Sequence, residues 1–209
     1  KLRQSPLLKE LYCAPGNPGI AEVADLVPIA PDEIQKLADF AQEMKIDLTL
    51  VGPVLPLTLG LADELDERGL AVFGPRRRAA ELEGSKVFAK EFMARHGIPS
   101  AAFEVVHDAN EAREAIARFG FPVVLKADGL AAGKGVLIVG GQEEADDALK
   151  MLFEDRRFGR AADRVVVEEC LEGEELSFIA LSDGERLLNF ATSKDYKRIG
   201  EDDTGPNTG

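Results

Sequence analysis

Two stretches of this chain carry residue types whose spacing can do chemistry. The first is residues 121–136, FPVVLKADGLAAGKGV, an apolar run that ends on Lys126 and opens into a loop of glycine and alanine. A strand is expected over residues 122–125, behind a stop at Gly120, so Lys126 falls at the strand end with its ammonium beside the loop. Gly129, Gly133 and Gly135 let the backbone turn and approach an anion closely, Ala131 and Ala132 add no bulk, and Lys134 adds charge. This is the composition of a phosphate cradle, and equally that of a glycine-rich hairpin with two solvated lysines. Two common phosphate motifs do not fit. Three residues rather than four separate Gly129 from Gly133, Gly135 rather than Ser or Thr follows Lys134, and no G-x-G-x-x-G is present.

The second stretch is residues 165–177, VVVEECLEGEELS. A buried strand ending in Glu168 and Glu169, then Leu171, then Glu175, suits an adenosine site. An extended linker offers a carbonyl to the adenine amino group and an amide to a ring nitrogen, and a carboxylate at fixed spacing accepts from both ribose hydroxyls. An acidic strand end followed by a turn reads the same way in isolation. The upstream lysine strand and glycine loop tip the reading towards a nucleotide.

These residues need elements to hold them. Up to about residue 80 the pattern alternates strand and helix, with strands expected at 11–14, 48–51 and 70–73, each running into a Gly/Pro loop: Pro15 to Gly19, Gly52-Pro53 and Gly74-Pro75. One helix opens at Pro31 and Asp32 with Ile34, Leu37, Ala38, Ala41 and Met44 on its inner face. The next puts Leu57, Leu61 and Leu65 on one stripe and stops at Gly69. A parallel α/β sheet binds ligands outside the carboxyl ends of its strands, which is where these loops lie. The Arg76 to Arg78 run reads as a solvated surface. From Ser85 the organisation changes. Ser85 is a good N-cap for a helix with Phe88, Phe92 and Met93 inward and Gly97 as its stop, placing Lys86 and Lys90 one turn apart, as candidate anion contacts or exposed helix charges. Asp108 with Glu111 resembles a capping box for a helix burying Ala112, Ile116 and Phe119. After the cradle strand, residues 136–139 return, residues 143–153 form an amphipathic helix, and strands at 165–167, 176–181 and 187–190 build a small antiparallel lid through the turn Ser182, Asp183, Gly184.

Composition bounds the rest. The chain has 209 residues and a net charge of −13, enough length for one large or two small domains and a balance that argues against general nucleic-acid or membrane surfaces. An anion must then be met by local base, with Lys86, Lys90, Lys126 and Lys134 as candidates. Cys13 and Cys170 lie far apart without metal-ligand spacing, as expected of buried free thiols in a reducing compartment, the cytoplasm by default. No apolar run approaches membrane length and no signal sequence is visible. The absence of an initiating Met and the glycine-rich last residues are what part of a longer protein would show.

Taken together, the motifs resemble the phosphoribosylamine–glycine ligase (glycinamide ribonucleotide synthetase) family of the ATP-grasp superfamily, over the whole chain. The residues that carry the resemblance are APGN at 14–17, VGP at 51–53, FGP at 73–75, LEGSK at 82–86, KADGLAAGKG at 126–135, residues 168–177, and DYKRIGEDDTGPNTG at 195–209. LEGSK, KADGLAAGKG and DTGPNTG in this order are the specific part.

The resemblance implies an α/β fold: a Rossmann-like N-terminal substrate domain over 1–85, its start missing, and an ATP-grasp domain over 86–209, incomplete at its end, with the lid at about 121–190. It implies that Lys86 and Lys126 contact ATP phosphates as the catalytic charges, and that the loop of Asp128, Gly129, Gly133, Lys134 and Gly135 closes over them. Glu168 and the backbone of Glu169 and Leu171 would read adenine, and Glu175 would hold the ribose. Gly16, Asn17, Gly52, Pro53, Asp195, Asp203, Gly205, Pro206, Asn207 and Thr208 would face glycine and 5-phosphoribosylamine. Val54 departs from the family, which has Glu after this Gly-Pro. The family's opening glycine-rich loop and its ligands for Mg²⁺ (or Mn²⁺) would lie outside this chain, so no residue is assigned to metal. A monomer without nucleic-acid or membrane partners is implied. The chemistry fits such a site: a carboxylate is a poor acyl donor, and phosphorylation of glycine by ATP gives a glycyl phosphate that an amine attacks, with no protein nucleophile. No Ser-His or Cys-His arrangement is then expected, and His96 and His107 read as structural. Another ATP-grasp carboxylate–amine ligase, or an adenine-nucleotide module without turnover, would share the ATP features; DTGPNTG and the Pro-Gly-Asn loop favour the glycine ligase.

Overall fold

The computed structural model describes residues 1–129, 135–196, 198–201 and 204–207, with only the backbone of Arg198 and of residues 204–207. The N-terminal part alternates strand and helix as its periodicity requires. Strand β1 (Tyr12–Cys13) pairs in parallel with β2 (Asp25–Leu26), and β3 (Thr49–Leu50) pairs in parallel with β4 (Val72–Phe73). These are two separate two-stranded ladders, each shorter than the sequence suggests. Helix α1 (Ile34–Glu43) follows the 3.6-residue stripe of Ile34, Leu37, Ala38 and Ala41 and packs Ala38 and Ala41 against Leu61 and Leu65. Met44, expected on the inner face, is 46% exposed and lies just past the helix end.

The single helix expected through Leu57, Leu61 and Leu65 is broken into α2 (Val54–Thr58) and α3 (Leu61–Glu67). The break is Gly60, whose φ of +94° only glycine adopts without strain. A Cβ there would also stand 2.6 Å from the Arg77 guanidinium, which donates to the Leu59 carbonyl. Arg77 therefore braces the kink, from the first turn of α4 (Arg77–Gly84), a helix the arginine run did not announce. Arg76 pairs with Asp66 on the surface, as expected of that run.

Helix α5 (Lys86–His96) starts where the Ser85 side chain accepts from the Phe88 amide at 3.1 Å and stops at left-handed Gly97. Its inner face is Val87 and Lys90 rather than the three residues expected, which are half-buried. Next come β5 (Phe103–Val106), α6 (Ala109–Phe119), β6 (Val123–Ala127), β7 (Val136–Val139), α7 (Gln142–Leu149) with a π-turn over Lys150–Glu154, and β8 (Val165–Glu169). Asp108 caps α6 through the amides of Asn110 and Glu111, while the Glu111 carboxylate accepts from the His107 amide, one residue before the cap.

The four strands form one antiparallel sheet in the order β5-β8-β6-β7, with β8, the last in sequence, between β5 and β6. Alternation along each strand sorts the side chains onto two faces. Val123, Leu125 and Ala127 of β6 and Val165 and Val167 of β8 pack against Ala112, Ala115 and Ile116 of α6 and Ala145, Leu149 and Leu152 of α7 and its continuation. Fully buried leucines such as Leu125, Leu149 and Leu152 each contribute about 1.5–3 kcal/mol of transfer free energy. The opposite face carries Val124 and Lys126 from β6 and Val166 and Glu168 from β8.

Beyond β8, β9 (Ala180–Ser182) and β10 (Leu187–Asn189) form the antiparallel hairpin expected of the lid, closed by Asp183, which accepts from the amides of Glu185 and Arg186. Segments β11 (Arg198–Gly200) and β12 (Thr204–Asn207) pair where the sequence reads as loop. Among the described residues no helix is long and apolar enough to cross a membrane.

Candidate functional site: a lysine–carboxylate face on the antiparallel sheet

The register Val124↔Glu168 and Lys126↔Val166 places Lys126 and Glu168 diagonally across adjacent strands on one face. They meet there: the Lys126 ammonium pairs with Glu168 Oε1. Glu168 is 4% exposed and its other oxygen, Oε2, lies 2.5 Å from the Lys90 ammonium, which rises from α5. That contact is an ion pair by distance but misses the direction of a hydrogen bond, so Oε2 is charge-compensated and still lacks a well-aimed donor.

Lys86 comes from the first turn of α5. Its ammonium donates to the Gly129 carbonyl at 2.8 Å, at the root of the glycine loop. Burial pushes this ammonium below the ordinary lysine value; Asp128 opposes the shift, the neighbouring positive charge of Lys126 adds to it, and Glu83 opposes it. Two ammonium groups from different elements thus lie near enough to repel each other, Lys86 held at the loop root and Lys126 held by Glu168.

Asp128, at the start of the glycine loop, is fully engaged. Its carboxylate is 7% exposed, accepts from Ser85 Oγ at 3.0 and 3.2 Å and from the Val87 amide at 3.2 Å, and pairs with Arg164 at 2.6 Å. It is a brace that ties the end of β6 to the start of α5 and to the residue before β8. Glu169 is likewise occupied, its side chain accepting from the Ala102 amide at 2.9 Å and its own amide donating to the Ala102 carbonyl at 3.1 Å. Any base reading at Glu169 must then use its carbonyl. Leu171 follows, 68% exposed, and Glu175 and Asp195 are exposed on the outer segment.

In the N-terminal part, Gly16 has φ +76°, and a Cβ there would run into Leu26 Cδ2, so the turn after β1 requires glycine. Asn17 holds that turn by accepting from the Ile20 amide at 2.9 Å. Gly52 and Pro53 are exposed, with Pro53 capping α2 and Val54 its first residue. Gly133, Lys134, Asp203 and Thr208 lie outside the described residues, and Gly205, Pro206 and Asn207 are described as backbone in β12. Cys13 and Cys170 are free thiols, half-buried rather than buried. Among the described residues no three His, Cys, Asp or Glu side chains converge in a way that could hold a metal ion.

A cleft of about 380 Å³ lies between α2, α4 and α5, lined by Thr58, Glu81, Phe88, Glu91 and Arg164 among others. It contains neither Lys86 nor Lys126, and its two glutamates oppose its one arginine. The chemistry points to the sheet face instead. The residue that spacing alone undervalues is Lys90. Spacing leaves it as an anion contact or an exposed helix charge, and only its carboxylate partner on a distant strand reveals that it is buried.

Residues 1–83 match the family described as "Phosphoribosylglycinamide synthetase, N domain", and residues 84–209 match "Phosphoribosylglycinamide synthetase, ATP-grasp (A) domain". The chain is 51% identical over 211 residues to the phosphoribosylamine–glycine ligase of Yersinia pestis and 52% identical over 209 residues to that of Brucella melitensis, covering all of this chain and 49% of each relative. It thus spans about half the length of the curated relatives it matches. The crystal structure of phosphoribosylamine–glycine ligase from Thermotoga maritima superposes with a TM-score of 0.74 at 35% identity, over 95% of this chain and 47% of that one. N5-carboxyaminoimidazole ribonucleotide synthetase from Thermus thermophilus, at 22% identity and a TM-score of 0.66 over 91% of this chain and 49% of that one, shares the fold.

Proposed function

This chain belongs to the phosphoribosylglycinamide synthetase family, and from that premise we propose that it carries the nucleotide face and substrate loops of an ATP-dependent ligase. The ligase joins glycine to 5-phosphoribosylamine, with glycinamide ribonucleotide, ADP and phosphate as products. The observation that carries the reading is Lys86 held at the root of the glycine loop by the Gly129 carbonyl, with Lys126 on the neighbouring strand paired to the buried Glu168.

In this reading Lys86 and Lys126 bind phosphate oxygens, and the loop of residues 128–135 folds over them. Glu168 and the carbonyl of Glu169 face the adenine amino group, the Leu171 amide a ring nitrogen, and Glu175 the ribose. Gly16, Asn17, Gly52, Pro53 and Asp195, with residues 203–208, contact the two small substrates. Bound there, ATP supplies the phosphoryl group that makes the glycine carboxylate a competent acyl donor. The chain's own part is to clamp charge, orient the reactants and exclude water, which needs no nucleophilic side chain. The family also implies a divalent ion, with Mg²⁺ as our assignment. No residue of this chain is given to it, and no step here depends on it. A division near residue 85 into substrate-binding and ATP-binding domains is supported by the two family matches that meet there. A cytoplasmic monomer is proposed, and the two free thiols support the reducing compartment.

The test is product formation by the full-length protein. With ATP, glycine and phosphoribosylamine, glycinamide ribonucleotide should appear by mass spectrometry; nucleotide binding without product would reduce the site to a binding module. In the same protein, Lys126→Ala should weaken ATP by about 10- to 100-fold and leave adenosine nearly unchanged, since charge-assisted phosphate contacts are worth that much. Equal losses for the two ligands in calorimetry would remove Lys126 from the phosphate site.

A further inference from the structure

Lys90 has no part in the nucleotide contacts just described, yet it is the most deeply buried cation of the site, at 8% exposure. Its ammonium donates to Ser100 Oγ at 2.7 Å and to the Ala101 carbonyl at 3.2 Å, and lies 5.7 Å from the centre of the Phe103 ring. Those contacts fix it to the segment leading into β5. Lys126 differs: its side chain is 28% exposed and its partner is Glu168. Glu168 thus stands between one anchored cation and one that can leave.

In the nucleotide reading the partly exposed Lys126 turns from Glu168 towards the polyphosphate. A carboxylate buried to this degree and left without a counter-charge is heavily penalised, so the exchange would be opposed if Lys126 were its sole cation. We propose that Lys90 is a positioning residue for nucleotide binding, a fixed counter-charge that keeps Glu168 compensated when Lys126 moves to a polyphosphate. The inference rests on the nucleotide reading of this face. It assigns Lys90 no contact with the nucleotide.

Four variants separate this role from simple propping of α5. In the full-length protein, Lys90→Met should weaken ATP about tenfold, as loss of one charge-assisted contact does, with adenosine changed less than twofold, and Lys90→Arg should restore most of the ATP affinity. In a Glu168→Gln background no anion competes for Lys126, so adding Lys90→Met should change ATP affinity by less than about twofold. That last pair exchanges a buried ion pair for neutral groups and remains informative if Lys90→Met alone does not fold. Equal weakening of ATP and adenosine by Lys90→Met, or a tenfold loss of ATP affinity on adding it to Glu168→Gln, would overturn the proposal while leaving the nucleotide reading intact. A wild-type protein that binds no ATP would take both away.

Discussion

Lys86 experiences opposing influences on one proton. Burial is the largest and lowers its affinity for that proton, Asp128 raises it, Lys126 lowers it and Glu83 raises it, with a net shift below the ordinary 10.5. The folded chain then holds this proton less tightly than the unfolded one. The charged Lys86 accordingly weakens the fold at neutral pH, and this penalty lifts as pH rises through the lowered value towards 10.5. The same shift strips Lys86 of its charge at a lower pH than a surface lysine. ATP affinity should therefore fall early on the alkaline side, and Lys86→Arg, which stays charged, should move that fall to higher pH. Calorimetric titrations of wild type and variant across the alkaline range check this; superimposable curves would count against a phosphate role for Lys86. At this scale the sequence was legible where neighbours along the chain set the environment. Lys126 lies near the end of an apolar strand and Glu168 within another, so both were singled out from their neighbours, while the register that sets them on one face is a property of the sheet. Lys90 was not legible, because its burial is created by Glu168 and Phe103, partners from distant strands.

Among the elements, α5 matters most to the site because Lys86 is its first residue and its start is held twice over. Ser85 Oγ accepts from the Phe88 amide and donates to Asp128. Replacing Ser85 by Ala should cost about 1 kcal/mol in urea unfolding and should also lower ATP affinity, because the first turn then loses one of its ties to the end of β6, leaving those of Val87 and Lys86. Asp108→Ala removes a cap of the same kind from α6, away from the lysines, and should cost similar stability with ATP affinity unchanged. A Ser85 variant that binds ATP like wild type would show that the cap does not position Lys86. Both caps could be read from residue type and spacing, since an N-cap answers to bonds within one turn. The division of α2 from α3 could not, for the stripe of Leu57, Leu61 and Leu65 continues through it and the left-handed Gly60 is held open by Arg77 from the next helix. The β11–β12 pairing was hidden for a related reason: glycine and proline mark it as loop, and backbone pairing asks little of side chains.

For the whole molecule, burial is uneven along the chain. Both faces of the four-stranded sheet are covered, with Val124, Val166 and Glu168 buried opposite α6 and α7, but Leu171, Phe178, Leu187, Leu188 and Tyr196 of the outer segment are 63–78% exposed. The sheet order has a further consequence, which belongs to the time before the protein is finished. Strand β5 has β8 as its partner in the sheet, and β8 is the last of the four to be synthesised. At about 5–20 residues per second, Phe103–Val106 and the open edge of Val123–Ala127 wait several seconds on the ribosome as unpaired, valine-rich strands, a state prone to mispairing. The centre of the sheet arrives last, and it brings Glu168 with it, so closing the core and assembling the lysine–carboxylate face are one event. Nascent chains arrested with Arg160 just clear of the ribosome should be cleaved readily by protease within β5 and β6. Chains arrested with Cys170 clear should resist, and protection already complete at Arg160 would mean that the first three strands find another way to pair.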